Sequence, residues 1–117
     1  MPTILVLDDD AATGDRLAEM LRPLFPAVRV RVAGIDAGAA VVARVRVAIV
    51  LASVADIERI RRWRPPTARV VALTREMGPD TLWRAEALGV DASVRAPADA
   101  ARLQTVLEPL LEACQAR

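Results

Sequence analysis

Histidine and lysine are both missing from the 117 residues of this chain, and cysteine occurs once. Without histidine the chain lacks the commonest metal ligand and general base, so zinc chemistry and a serine-histidine triad are excluded. A single cysteine, Cys114, cannot close an internal disulfide. Basic and acidic residues number 16 and 15, for a net charge of +1, and the arginines are scattered from Arg16 to Arg117. With no basic block or stripe, nucleic-acid binding is not indicated. The longest apolar run, Val47 to Ala55 with one serine inside, is far short of a membrane span, and no positive segment precedes Ile4. The expectation is a cytosolic protein with no membrane partner.

What is present suits one folded domain over residues 1–117, because 54% apolar and 26% charged residues make a globular composition rather than a disordered one. Thr3-Ile4-Leu5-Val6-Leu7 is an apolar run of strand formers, as expected of a strand buried on both faces, and it stops at Asp8-Asp9-Asp10. Leu17, Met20, Leu21 and Leu24 then recur at helical spacing until Pro23 and Pro26. Val28, Val30 and Val32 alternate with Arg29 and Arg31 like an edge strand with one wetter side. A helix is predicted over 36–45, a buried strand over Val47 to Leu51, and a short helix through Ile57, Ile60 and Trp63 that ends before Pro65-Pro66.

Val70 to Leu73 reads as a fourth strand, Pro79 to Gly89 as a fourth helix, and Val90 to Arg95 as a fifth strand. Leu103, Val106, Leu107, Leu110, Leu111 and Cys114 form one apolar face of a last helix, kinked at Pro109. Strand and helix alternate throughout with short connections. The fold class is therefore α/β: a single doubly wound, five-stranded parallel sheet with helices on both faces, of flavodoxin-like type. In such sheets function gathers in the crevice at the carboxyl ends of the strands, where the strand order reverses.

Ile4-Leu5-Val6-Leu7-Asp8-Asp9-Asp10, Val70-Val71-Ala72-Leu73-Thr74 and Gly89-Val90-Asp91-Ala92-Ser93-Val94-Arg95-Ala96-Pro97 together resemble the CheY-like receiver domains of bacterial response regulators, over nearly the whole chain. The resemblance implies that Asp8 and Asp9 match the acidic pair that holds magnesium. It implies that Thr74 matches the signalling hydroxyl residue, and Pro97 the proline that bends the chain into the last helix. The departures fall on the chemistry. Ala52, or Ser53 in a register one residue off, stands where the phosphoryl-accepting aspartate belongs. Ala96 stands in place of the lysine, which no other alignment restores in a lysine-free chain, and Ser93 in place of the aromatic switch residue. Val54-Ala55-Asp56 reads as a shortened link into helix 3.

The aspartate is the nucleophile of that chemistry, magnesium neutralises the transferring group, and the lysine screens the acyl phosphate. With these missing, the expected function is a non-enzymatic two-component signalling module, a pseudo-receiver acting by protein contact. Its contact face, by resemblance, is helix 4, strand 5 and helix 5, for a protein partner or for a homodimer. The alternative is an active phosphoacceptor using a displaced acid such as Asp56. A flavin or nucleotide binder is disfavoured because Asp8-Asp9-Asp10 repels anions where phosphate would sit.

Each residue also has a plainer reading. The three aspartates suit the start of a helix, Thr74 a helix-start hydroxyl, and Cys114, Trp63 and Trp83 packing. The Arg59-Ile60-Arg61-Arg62-Trp63-Arg64 cluster suits a solvated face. No resident cofactor is expected, and magnesium only weakly at Asp8 and Asp9, one carboxylate of the usual three being absent. Arg75, at the mouth of the crevice, is expected either to act as an internal counter-ion to Asp8 and Asp9 or to project into water.

Overall fold

The computed structural model describes residues 2–63, 67–75 and 79–115, the last two by backbone only. Its strands are β1 (Thr3–Leu7), β2 (Arg29–Ala33), β3 (Val47–Ser53), β4 (Arg69–Thr74) and β5 (Ala92–Arg95). Its helices are α1 (Ala11–Leu24), α2 (Ile35–Arg44), α3 (Val54–Arg59), α4 (Pro79–Ala87) and α5 (Ala100–Gln115). The strands form one sheet in the order β2-β1-β3-β4-β5, and every neighbouring pair is parallel.

Two apolar clusters, one on each face, explain why the central strands are apolar without alternation. Ile4, Val6, Ile49, Leu51, Val71 and Val94 pack with Leu21 of α1 and Leu103 and Leu107 of α5. Leu5, Leu7, Val50, Ala52, Val70 and Ala72 face the opposite way, toward Ile35 of α2, Ile57 of α3 and Ala85 of α4. Residues Ile49 through Ala52 of the central strand are wholly buried. β2 is an edge strand with Arg29 and Arg31 exposed and Val30 buried, as its alternation implies. Among the described residues no helix is long and apolar enough to cross a membrane.

Several local expectations are corrected. β3 runs to Ser53, and Val54-Ala55-Asp56 is no link but the first turn of α3, because the Ser53 hydroxyl accepts a hydrogen bond from the Asp56 N–H at 3.2 Å and caps the helix directly. β5 begins at Ala92 rather than Val90. Asp91 binds Val70 twice, N–H to carbonyl and carboxylate to N–H, both at 2.7 Å, after a turn at Gly89 with φ 71°. α5 continues through Pro109.

Trp83, expected in the packing, is 67% exposed, and Leu82 beside it is 38% exposed. α4 buries only Ala85, and a residue two positions away lies about 200° around a helix, so Trp83 faces outward. Trp63 does pack, half-buried, against the α2–α4 side of the sheet. Arg64, Pro65, Pro66 and the Cys114 side chain lie outside the described residues. The two classes of side chain should separate in urea denaturation. Leu107→Ala, at a wholly buried position, is expected to cost about 2–5 kcal/mol, whereas Trp83→Ala should stay within about 0.5 kcal/mol of the parent.

Candidate functional site

β1 lies between β2 and β3, so the chain leaves β1 toward one side of the sheet and returns on the other. This is the point at which the strand order reverses, and the loops after β1, β3, β4 and β5 meet above it. A cavity of about 360 Å³ opens there. Asp8 and Thr13 line it from the β1 side, Ser53 and Asp56 from β3 and α3, Thr74 and Arg75 from the end of β4, and Ala96 from beyond β5.

The acid run divides its labour. Asp10 is the N-cap of α1, its carboxylate accepting from the Ala12 N–H at 3.2 Å and from the Thr13 hydroxyl at 2.7 Å. The Asp8 carboxylate accepts from the Asp10 N–H at 2.8 Å, while its own N–H donates to the Ala33 carbonyl at 3.0 Å. Asp9 reaches across to another helix: its Oδ1 accepts from the Ile35 N–H, in the first turn of α2, at 3.0 Å. The N-cap of α2 is Gly34, which has no side chain to cap with, and a Cβ there would come within 2.9 Å of Asp9 Oδ1. Glycine at 34 thus lets an acid 26 residues away cap the helix in its place.

The second oxygen of Asp9 meets a cation. Arg59 Nη1 lies 3.1 Å from Asp9 Oδ2 and 3.4 Å from Asp56 Oδ1. Arg75 is exposed and makes no ion pair among the described residues, so the counter-ion expected at Arg75 is corrected to Arg59. The reason is geometric. α3 follows β3 without a loop, which carries Arg59 back over the end of β1, and Asp56 three residues earlier steadies its side chain. The sequence pattern that marked this residue is the Asp56–Arg59 spacing on a helix, hidden in a cluster that otherwise reads as solvated. Arg61 and Arg62 are indeed exposed.

The remaining positions are distributed unevenly. Ser53 lines the cavity, whereas Ala52 points down into the buried α2–α4 face and pairs with Ala72. Neither carries a carboxylate. Thr74 is 1% exposed at the cavity wall, and its carbonyl accepts from the Ala96 N–H at 2.8 Å. Ala96 joins Pro97 through a cis peptide bond. Ser93 pairs with Ala72 within the sheet and is half-buried, away from the residues that line the cavity.

Asp9 is held below the ordinary carboxylate value of 3.8, first by the Ile35 N–H and then by the Arg59 guanidinium, and Asp10 is lowered first by the Thr13 hydroxyl. A carboxylate with a depressed folded-state pKa contributes stability that is fully present above its unfolded value. That contribution is lost as pH falls through the folded value. Carboxyl NMR should therefore place the Asp9 midpoint below 3.8. In Arg59→Gln the midpoint should rise only part of the way back, since the Ile35 N–H remains; a full return would mean that the helix-capping bond is absent.

No family model matches the sequence, and no curated protein matches it. Solved structures do. The signal receiver domain of the DNA-binding response regulator merR from Colwellia psychrerythraea is 27% identical, with 96% of this chain and 99% of that one covered at a TM-score of 0.77. The chemotaxis protein CheY4 of Vibrio cholerae is 16% identical, covering 94% and 98% at 0.78. A putative pilus assembly protein, cpaE, from Burkholderia thailandensis is 22% identical, covering 96% and 99% at 0.72. With the strand order, the acid run at the end of β1 and the cavity at the switch point all in register with these structures, the chain is a CheY-like receiver domain of the response-regulator type.

Proposed function

We propose that this chain is a pseudo-receiver: a two-component-type signalling module that works through protein contact without being phosphorylated. The observation that carries the reading is the end of β3. Its last side chain at the cavity is Ser53, whose hydroxyl is engaged in capping α3, and the residue before it is a buried alanine. An acyl phosphate needs a carboxylate nucleophile there. The lysine position is Ala96, and the chain has no lysine to move into it.

Magnesium of the usual receiver kind does not fit this donor set. Both oxygens of Asp9 are engaged, one by a helix N–H and one by Arg59. Among the described residues no group of three acidic or thiol side chains converges on a point. Hard cations are held by several oxygen ligands together, so two carboxylates of which one is already paired make a weak site at best. The chain then acts as a binding surface rather than as an enzyme, in the cytosol of a bacterial cell, with a protein partner or a second copy of itself. The face of α4, β5 and α5 is the docking surface by analogy with receivers, and exposed Leu82 and Trp83 on α4 support it. Nucleic acid is not a partner on this reading, given a net charge of +1.

One observation favours a second reading. Asp56 lines the same cavity as Asp8, so a displaced carboxylate does border the crevice. Incubation with acetyl phosphate and magnesium separates the two, with intact-mass spectrometry as the readout. The expected result is no phosphoryl adduct. An adduct that disappears in Asp56→Asn would replace the first reading by the second, and one that disappears on changing another aspartate would overturn the assignment of β3.

A further inference from the structure

Asp9 and Asp56 stand on different elements, yet one guanidinium nitrogen serves both, at 3.1 Å and 3.4 Å. A positively charged nitrogen between two carboxylates, beside a third acid that lines the adjoining cavity, sits where a small cation would balance the same charges. We infer that Arg59 is a built-in counter-ion that occupies the acid corner in place of a divalent cation, and that taking it away opens Asp8 and Asp9 to such a cation. The inference concerns which cation fills the corner and does not depend on how the domain signals.

Three features support it. First, the Asp9 carboxylate is positioned without Arg59: Oδ1 is fixed by the Ile35 N–H at 3.0 Å and lies against Gly34. Loss of the arginine therefore leaves Oδ2 in place with its ion-pair partner gone. Second, Asp8 uses Oδ1 for the Asp10 N–H, which fixes the second carboxylate at the cavity wall independently of Arg59. Third, a guanidinium stays protonated at any pH the fold survives, so its charge is permanent, whereas a bound metal comes and goes with its concentration. Magnesium keeps several of its waters and is commonly held through one or two carboxylates, so two prepositioned acids suffice once the competing charge is gone.

Both partners of the pair are more than half exposed, and exposed pairs contribute little to stability, so Arg59→Gln should fold as the parent does. Isothermal titration with magnesium, and with manganese followed by its free-ion EPR signal, provides the test. The expected result is that Arg59→Gln binds either ion about tenfold more tightly than the parent, the scale on which one neighbouring charge moves a carboxylate equilibrium. Arg44→Gln, an equal change in charge at the exposed end of α2, should give no such gain, and adding Asp9→Asn to Arg59→Gln should abolish it. Equal affinity in the parent and Arg59→Gln overturns the inference, as does an equal gain in Arg44→Gln or a gain that survives Asp9→Asn. Carboxyl NMR of the parent gives a check that needs no variant. Millimolar magnesium should leave the Asp9 resonance unmoved, and a saturable shift would show that the corner already admits the ion.

Discussion

Everything at the crevice depends on the burial of β1 and β3 on both faces. A strand with helices above and below has no wet side, so its residues are apolar from end to end and polar chemistry is displaced to the point where the strand stops. β1 is buried from Thr3 to Leu7, and β3 from Val47 to Ala52. The first places free of that constraint are Asp8 and Ser53, and the parallel register of the two strands brings their ends to the same level. Cavity, acid run and capping serine are thus consequences of one packing arrangement. Any receiver-type sheet must make such a crevice, whether or not the residues at its rim can accept a phosphoryl group.

The same constraint explains how α3 comes to shape the site. With β3 reaching Ser53 and the helix starting at the next residue, no loop separates sheet from helix. The Ser53 side chain is taken up by the helix N-terminus, and Arg59, one and a half turns on, is delivered over the end of β1. A longer connection would release Ser53 and carry Arg59 elsewhere. The abrupt junction, the engaged hydroxyl and the arginine between two acids therefore belong to one structural choice.

The fold was legible because its signals are long-range averages. Two-sided apolar runs, helical spacing in α1 and α5, and the alternation of Val30 with Arg29 and Arg31 all survive small errors of register. The extent of β3 and β5 was not legible, since it turns on side-chain caps: Ser53 for α3, and Asp91 on the Val70 N–H. Trp83 was misread for a related reason. Helical spacing shows which residues share a face, and α4 meets the sheet through one alanine, so its large side chains are left outside. Arg59 was invisible as a site residue because the contact that defines it spans 50 positions. Nothing local distinguishes it from Arg61 and Arg62 except an aspartate three residues before it.

The acid run deserves a different weight once its hydrogen bonds are known. Read as a metal-binding signature, Asp8-Asp9-Asp10 argues for phosphoryl chemistry. In the structure Asp10 caps α1, Asp9 caps α2 in place of Gly34 and pairs with Arg59, and Asp8 receives the Asp10 N–H that turns the chain from β1 into α1. Each carboxylate satisfies backbone N–H groups that would otherwise lack partners at a helix start or turn. Three acids are then required by the fold alone, and their presence adds nothing in favour of phosphorylation. The positions without such a structural duty, those of the acceptor and the lysine, are the informative ones. Both are occupied by side chains that cannot take part in the reaction.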